Sequence, residues 1–88
     1  MYKIVYVKNT LKDMKKIKTN KLDTKLKNLI NVIKKNPLQN SPPYEKLIGD
    51  LQGAYSRRIN IQHRLAYQIY ETEKIVKIIS IWSHYENI

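Results

Sequence analysis

Three arginines, Arg57, Arg58 and Arg64, fall within eight positions of a chain in which lysine supplies all the remaining positive charge. Lysine is a flexible point charge suited to attraction at a distance, whereas arginine presents a planar fork of donors that matches a phosphate bidentately and stays charged. The lysines are therefore read as attraction and the arginines as geometry. Glu45, just after the Pro42-Pro43 pair, and His84 with Tyr85 near the end complete a set of residue types with a definite chemistry. Cleaving RNA without a metal needs a base for the 2′-hydroxyl proton, cations against the pentacoordinate phosphorane and an acid for the 5′-oxygen leaving group. An aromatic ring nearby can hold an unstacked base. A carboxylate, guanidinium groups, an imidazole and a phenol ring are those parts.

Each residue also has a plainer reading. Glu45 suits a solvated loop, or an ion pair with a neighbouring cation. Arg57 and Arg58 are adjacent on a strand and point to opposite faces, so one of the two joins Arg64 while the other braces a loop or the helix layer. His63 alternates with Arg64 and is read as structural. His84 and Tyr85 form either an ordinary polar tail or groups fixed by the apolar strand that ends in Trp82. Trp82, Tyr2, Tyr6 and Tyr67 are assigned to the core.

The elements that must position these residues are legible from periodicity. Residues 2–7, β-branched and aromatic, read as a strand. A helix capped by Thr10 is expected to follow, with Leu11, Met14 and Ile17 as its apolar stripe. Asn20 with Asp23 marks a second start, and Leu22, Leu26, Leu29, Ile30 and Ile33 recur at helical spacing until Pro37. Residues 37–54, with three Pro, Gly49 and Gly53, read as a loop-rich connection. Segments 55–60, 63–70 and 74–82 read as strands of an antiparallel meander. In 63–70 the alternation sets Leu65, Tyr67 and Ile69 on one face and Arg64, Ala66 and Gln68 on the other. The expected fold is α+β: an antiparallel sheet in β-α-α-β-β-β order with an N-terminal helical hairpin packed on one face.

The 88 residues suffice for a single domain, 1–88, with a modest core. Without cysteine there is no thiolate nucleophile and no Cys-ligated metal, and two histidines are too few for a metal site, so neither a metal nor a cofactor is expected. No apolar run is long enough to span a bilayer and the N-terminus has no signal-peptide pattern, which makes no membrane and a cytoplasmic location the expectation. A net charge of +10 calls for a polyanionic partner. It is concentrated in residues 1–44, where eleven Lys face two Asp for a net of +9. No helix-turn-helix pattern accompanies it, and the Lys-rich helices suit non-specific phosphate contact better than DNA sequence reading.

The run Pro43-Tyr44-Glu45-Lys46-Leu47, then Leu51-Gln52-Gly53-Ala54-Tyr55-Ser56-Arg57-Arg58-Ile59-Asn60, then His63-Arg64-Leu65-Ala66-Tyr67 and the closing His84-Tyr85 resemble the Txe/YoeB family of toxin-antitoxin toxins within the RelE superfamily. Residues 1–40 match in pattern only. The resemblance implies a RelE-like fold and a ribosome-dependent mRNA interferase that cuts the codon in the ribosomal A site. It implies Glu45 as general base, Arg64 as transition-state arginine, His84 as general acid and Tyr85 as the ring that positions mRNA. Arg58 matches an auxiliary arginine and, with Lys46, is assigned to RNA binding. Where many relatives carry a lysine three positions after the base this chain has Ile48, and it continues past His-Tyr with Glu86-Asn87-Ile88. The implied partners are the ribosome and mRNA, a cognate acidic antitoxin of the YefM/Axe/Phd kind whose flexible segment folds over the toxin, and a second copy in a homodimer. The competing reading is a non-catalytic ribosome-, RNA- or antitoxin-binding member of the same superfamily.

Overall fold

The computed structural model describes residues 1–47 and 53–81. Its first strand, β1 (Lys3–Tyr6), leads into helices α1 (Lys8–Thr19) and α2 (Asp23–Lys35), after which come strands β2 (Glu45–Lys46), β3 (Ala54–Arg58), β4 (Arg64–Tyr70) and β5 (Ile75–Ser80). Leu22, Leu26, Leu29 and Ile33 repeat at helical spacing and all are buried, so α2 is defined by one apolar stripe, as expected. Asp23 in its first turn and Lys34 and Lys35 in its last complement the helix dipole. Pro37, whose ring disfavours helix in the residue before it, keeps α2 from running past Lys35.

Helix α1 departs from expectation at both ends. It starts at Lys8, so Thr10 is already inside the first turn; its hydroxyl donates to the Val7 carbonyl at 2.6 Å and is buried. Asn20 closes α1 and does not open α2: its side-chain amide donates to the Lys16 carbonyl at 2.8 Å. Lys21 then takes a left-handed φ of 58° to turn the chain. With the start displaced, the line facing the sheet is Thr10 and Ile17, and Leu11 is left 60% exposed.

The sheet has the order β1-β5-β4-β3-β2. Strands β2 to β5 are antiparallel, but β1 runs parallel to β5, so the sheet is mixed. The helical hairpin carries the chain from β1 across to the far edge at β2, and the antiparallel steps from β2 to β5 then bring β5 back beside β1 in the same direction. The helices cover one face, where Ile17, Leu26 and Ile33 meet Leu65, Tyr67, Val76 and Ile78. The facing of Leu65 and Tyr67 is that read from the alternation. Between β4 and β5 the register slips, with Ala66 opposite Ser80 and Tyr67 opposite Ile78, and Ile79 is the extra residue of a bulge.

Candidate active site

Glu45 sits on a two-residue edge strand, β2, inside the segment read from sequence as loop. So short a strand has no alternation to reveal it. It exists because β3 offers a free edge, and Leu47 continues the pairing by donating its N–H to the Ala54 carbonyl at 2.9 Å. Glu45 is opposite Ser56, and Ser56 is opposite Ala66, so all three share a face. That face is the one away from the helices, because Tyr55, Arg57, Leu65 and Tyr67 occupy the alternate positions. Lys46, opposite Tyr55, is turned to the other side and does not converge with Glu45.

Arg64 opens β4 on the same face, and its guanidinium donates to Glu45 Oε2 at 3.1 Å. The two residues lie on the strands flanking β3, so their side chains meet across it. With the Glu45 side chain 67% and the Arg64 side chain 26% exposed, this pair contributes only about 0–1 kcal/mol. Arg58 stands directly opposite Arg64. The neighbouring Ile59–His63 pair is hydrogen bonded, which makes 58/64 a non-hydrogen-bonded pair whose Cα atoms approach to about 4.5 Å. Two arginines thus start from adjacent backbone positions on one face, one of them paired with the Glu45 carboxylate. Like charges in that relation repel, and an anion bound there relieves the repulsion. Arg58 also borders a cleft against α2, where Lys25 and Asn28 lie.

Arg57 has a different part. It is 1% exposed, and each of its three side-chain nitrogens donates within the chain. Nε donates to the Tyr67 hydroxyl at 2.9 Å, one terminal nitrogen to the Pro42 carbonyl at 2.6 Å, and the other to the Pro37 and Gln39 carbonyls at 3.0 and 2.8 Å. The guanidinium carbon also lies 5.2 Å from the centre of the Tyr44 ring. Of the two adjacent arginines, Arg57 is the loop brace and Arg58 the partner of Arg64. The brace ties down residues 37–42, the segment that delivers Tyr44 and Glu45 to the sheet edge. Tyr67 relays the same support by donating to the Pro37 carbonyl at 2.8 Å. Burial raises the Tyr67 phenol above its ordinary range, opposed in part by the Arg57 charge.

His63 belongs to the turn between β3 and β4: its N–H donates to Asn60 Oδ1 at 2.7 Å, and its carbonyl accepts from Ile59. Of the residues assigned to the core, Tyr67 is fully buried and Tyr2 packs against the cluster, whereas Tyr6 is 37% exposed on β1. His84, Tyr85 and Trp82, with Ile48 and the Glu86-Asn87-Ile88 end, lie outside the described residues. Sequence reasoning passed over Ser56, whose hydroxyl is buried on the site face; as a small polar residue mid-strand it carries no signal of its own.

Comparison with known proteins places the chain and its fold among bacterial toxins. Residues 6–85 match the family model described as the YoeB-like toxin of bacterial type II toxin-antitoxin systems. A protein named Toxin YoeB from Synechocystis is 38% identical over 66 residues, covering 75% of this chain and 74% of the relative. Among solved structures, a YoeB/ParE toxin from Agrobacterium tumefaciens superposes with a TM-score of 0.83 at 28% identity, covering 94% of this chain and 99% of that one. The YoeB-YefM complex from Staphylococcus aureus includes a chain matching with a TM-score of 0.79 at 34% identity, covering 97% and 99%. Matched by that family model over most of its length and by a relative 38% identical to it, the chain belongs to the YoeB-like toxin family of bacterial type II toxin-antitoxin systems.

Proposed function

We propose that this toxin is a ribosome-dependent endoribonuclease that cuts mRNA in the ribosomal A site. The observation that carries the reading is the Glu45 carboxylate 3.1 Å from Arg64, with Arg58 directly across the strand pair. Glu45 takes the proton of a ribose 2′-hydroxyl as that oxygen attacks the adjacent phosphorus. Arg64, released from a weak and partly exposed ion pair, turns to the equatorial oxygens of the phosphorane, and Arg58 adds a second guanidinium beside it. His84 protonates the departing 5′-oxygen, and Tyr85 holds the base. The products are a 2′,3′-cyclic phosphate and a 5′-hydroxyl end, with no cofactor in the balance.

The lysines then have two uses. A helical half with a net charge of +9 is attracted to ribosomal RNA phosphate, with affinity that falls as salt rises. The same charge favours an acidic antitoxin, a partner consistent with the YoeB-YefM complex among the structural relatives. The test is to map 5′ ends on a defined mRNA in a purified translation reaction, with and without ribosomes. The parent protein is expected to produce new ends inside A-site codons only when ribosomes are present, and the Arg64→Ala and His84→Ala variants to lose them. No new ends from the parent, with ribosome or antitoxin binding intact, would replace the nuclease with a binding module that retains the family's residues.

A further inference from the structure

Ser56 is 1% exposed, and its Oγ is buried without a hydrogen-bond partner. Native proteins seldom leave such a group, because a buried hydroxyl without a partner gives up its water for nothing. Packing does not call for it. Ser56 has fully buried Ala66 opposite it on β4, and alanine would fill the same space without the orphaned oxygen.

Position supplies a reason. Ser56 is the cross-strand partner of Glu45, and the strands carrying Glu45 and Arg64 flank its own. The ion pair between them therefore crosses β3 diagonally, from the level of Ser56, opposite Glu45, to that of Arg58, opposite Arg64, and the small Ser56 side chain leaves Glu45 room to reach across. Cβ atoms of directly paired residues lie about 5 Å apart, so a glutamate can curl back to a serine hydroxyl opposite it. In the present state Glu45 Oε2 accepts from Arg64, and Ser56 has nothing to donate to. During phosphate binding that relation must change, since Arg64 cannot hold the base and the phosphorane with the same donors.

We propose that Ser56 is a positioning residue for Glu45: when Arg64 moves to the phosphate, the Ser56 hydroxyl donates to the released carboxylate and keeps it aimed at the 2′-hydroxyl. This rests on the nuclease reading for its purpose but not for its geometry. The hydroxyl is a switchable second partner, idle in the free toxin and engaged in the reacting complex. It touches neither the phosphate nor the leaving group.

Two measurements test it, one of which does not depend on activity. The first is the crystal structure of the Arg64→Ala variant, in which Glu45 has lost its present partner; Ser56 Oγ is expected within hydrogen-bond distance of the carboxylate. Glu45 turned into solvent, with Ser56 Oγ still unpartnered, would overturn the proposal. The second is single-turnover cleavage by Ser56→Ala on ribosomes programmed with a defined A-site codon. The maximal rate is expected to fall about tenfold, while the concentration for half-maximal rate stays within twofold and the urea midpoint does not decrease. A maximal rate equal to the parent's would overturn it, and a loss confined to half-saturation would do the same by making Ser56 a binding group. If the parent itself does not cleave, the nuclease reading fails and the crystal structure still decides whether Ser56 reaches Glu45.

Discussion

Replacing Arg57 tests the reading of the site's support more severely than replacing any residue of the site itself. Its guanidinium makes four hydrogen bonds, two of them fully buried, to the Tyr67 hydroxyl and the Pro37 carbonyl. The other two, to Pro42 and Gln39, are partly buried. Hydrogen bonds from a charged donor are worth roughly 1.5–3 kcal/mol each when buried, and less where water can replace them. Against that stands the desolvation of a buried cation, relieved when the side chain is removed. The difference for Arg57→Ala is about 3 kcal/mol of lost stability. With a urea dependence of about 1 kcal/mol per molar for a domain of this size, the midpoint is expected to fall by about 3 M. Arg57→Lys keeps the charge but not the fork, and is expected to lie between the two. Urea titration followed by tyrosine and tryptophan fluorescence measures all three. A midpoint for Arg57→Ala within about 0.5 M of the parent would refute the claim that this arginine holds the 37–42 segment to the sheet.

The remaining predictions concern single interactions. Arg64→Ala is expected to lower mRNA cleavage by about 10²-fold or more while changing stability by less than about 1 kcal/mol, because its ion pair with Glu45 is partly exposed; parallel cleavage and urea measurements check the contrast. The Tyr67 phenol is raised by burial, so the folded chain keeps a proton that the unfolded chain loses near pH 10. Its contribution is therefore full below the unfolded value and is lost as pH rises through the folded one, and Tyr67→Phe is expected to flatten the decline of the urea midpoint between pH 9 and 11. Ribosome binding is expected to weaken steeply with salt, and charge-neutralising Lys→Gln changes at Lys25 and Lys27 of α2 should reduce the slope of log affinity against log salt; an unchanged slope would remove the helical layer from the RNA contact.

Much of the fold lies in local pattern. The spacing of Leu22, Leu26, Leu29 and Ile33 specifies α2 and the side it buries, because a helix returns to the same face every three to four residues. The alternation in β4 turns Leu65 and Tyr67 inward and Arg64 outward, because successive strand residues oppose one another. Where signals were weak, local reasoning erred. Thr10 and Asn20 carry side chains that cap helices from either direction, and only the packed chain selects which backbone group each one meets.

Sequence by itself determined that this chain carries a carboxylate and arginines of the right types, that Arg57 and Arg58 face apart, and that a strongly basic helical half precedes a strand-rich half. Tertiary structure alone decided which arginine is which. Arg57 is a brace because its face meets the helix layer and the carbonyls of residues 37–42, whereas Arg58 is Arg64's neighbour because β3 and β4 pair in that register. It also decided that Glu45 stands on a strand, since a two-residue edge exists only where another strand offers its backbone groups. Side-chain type follows from the residue, but which side chains meet depends on register, and register is a property of strands already paired.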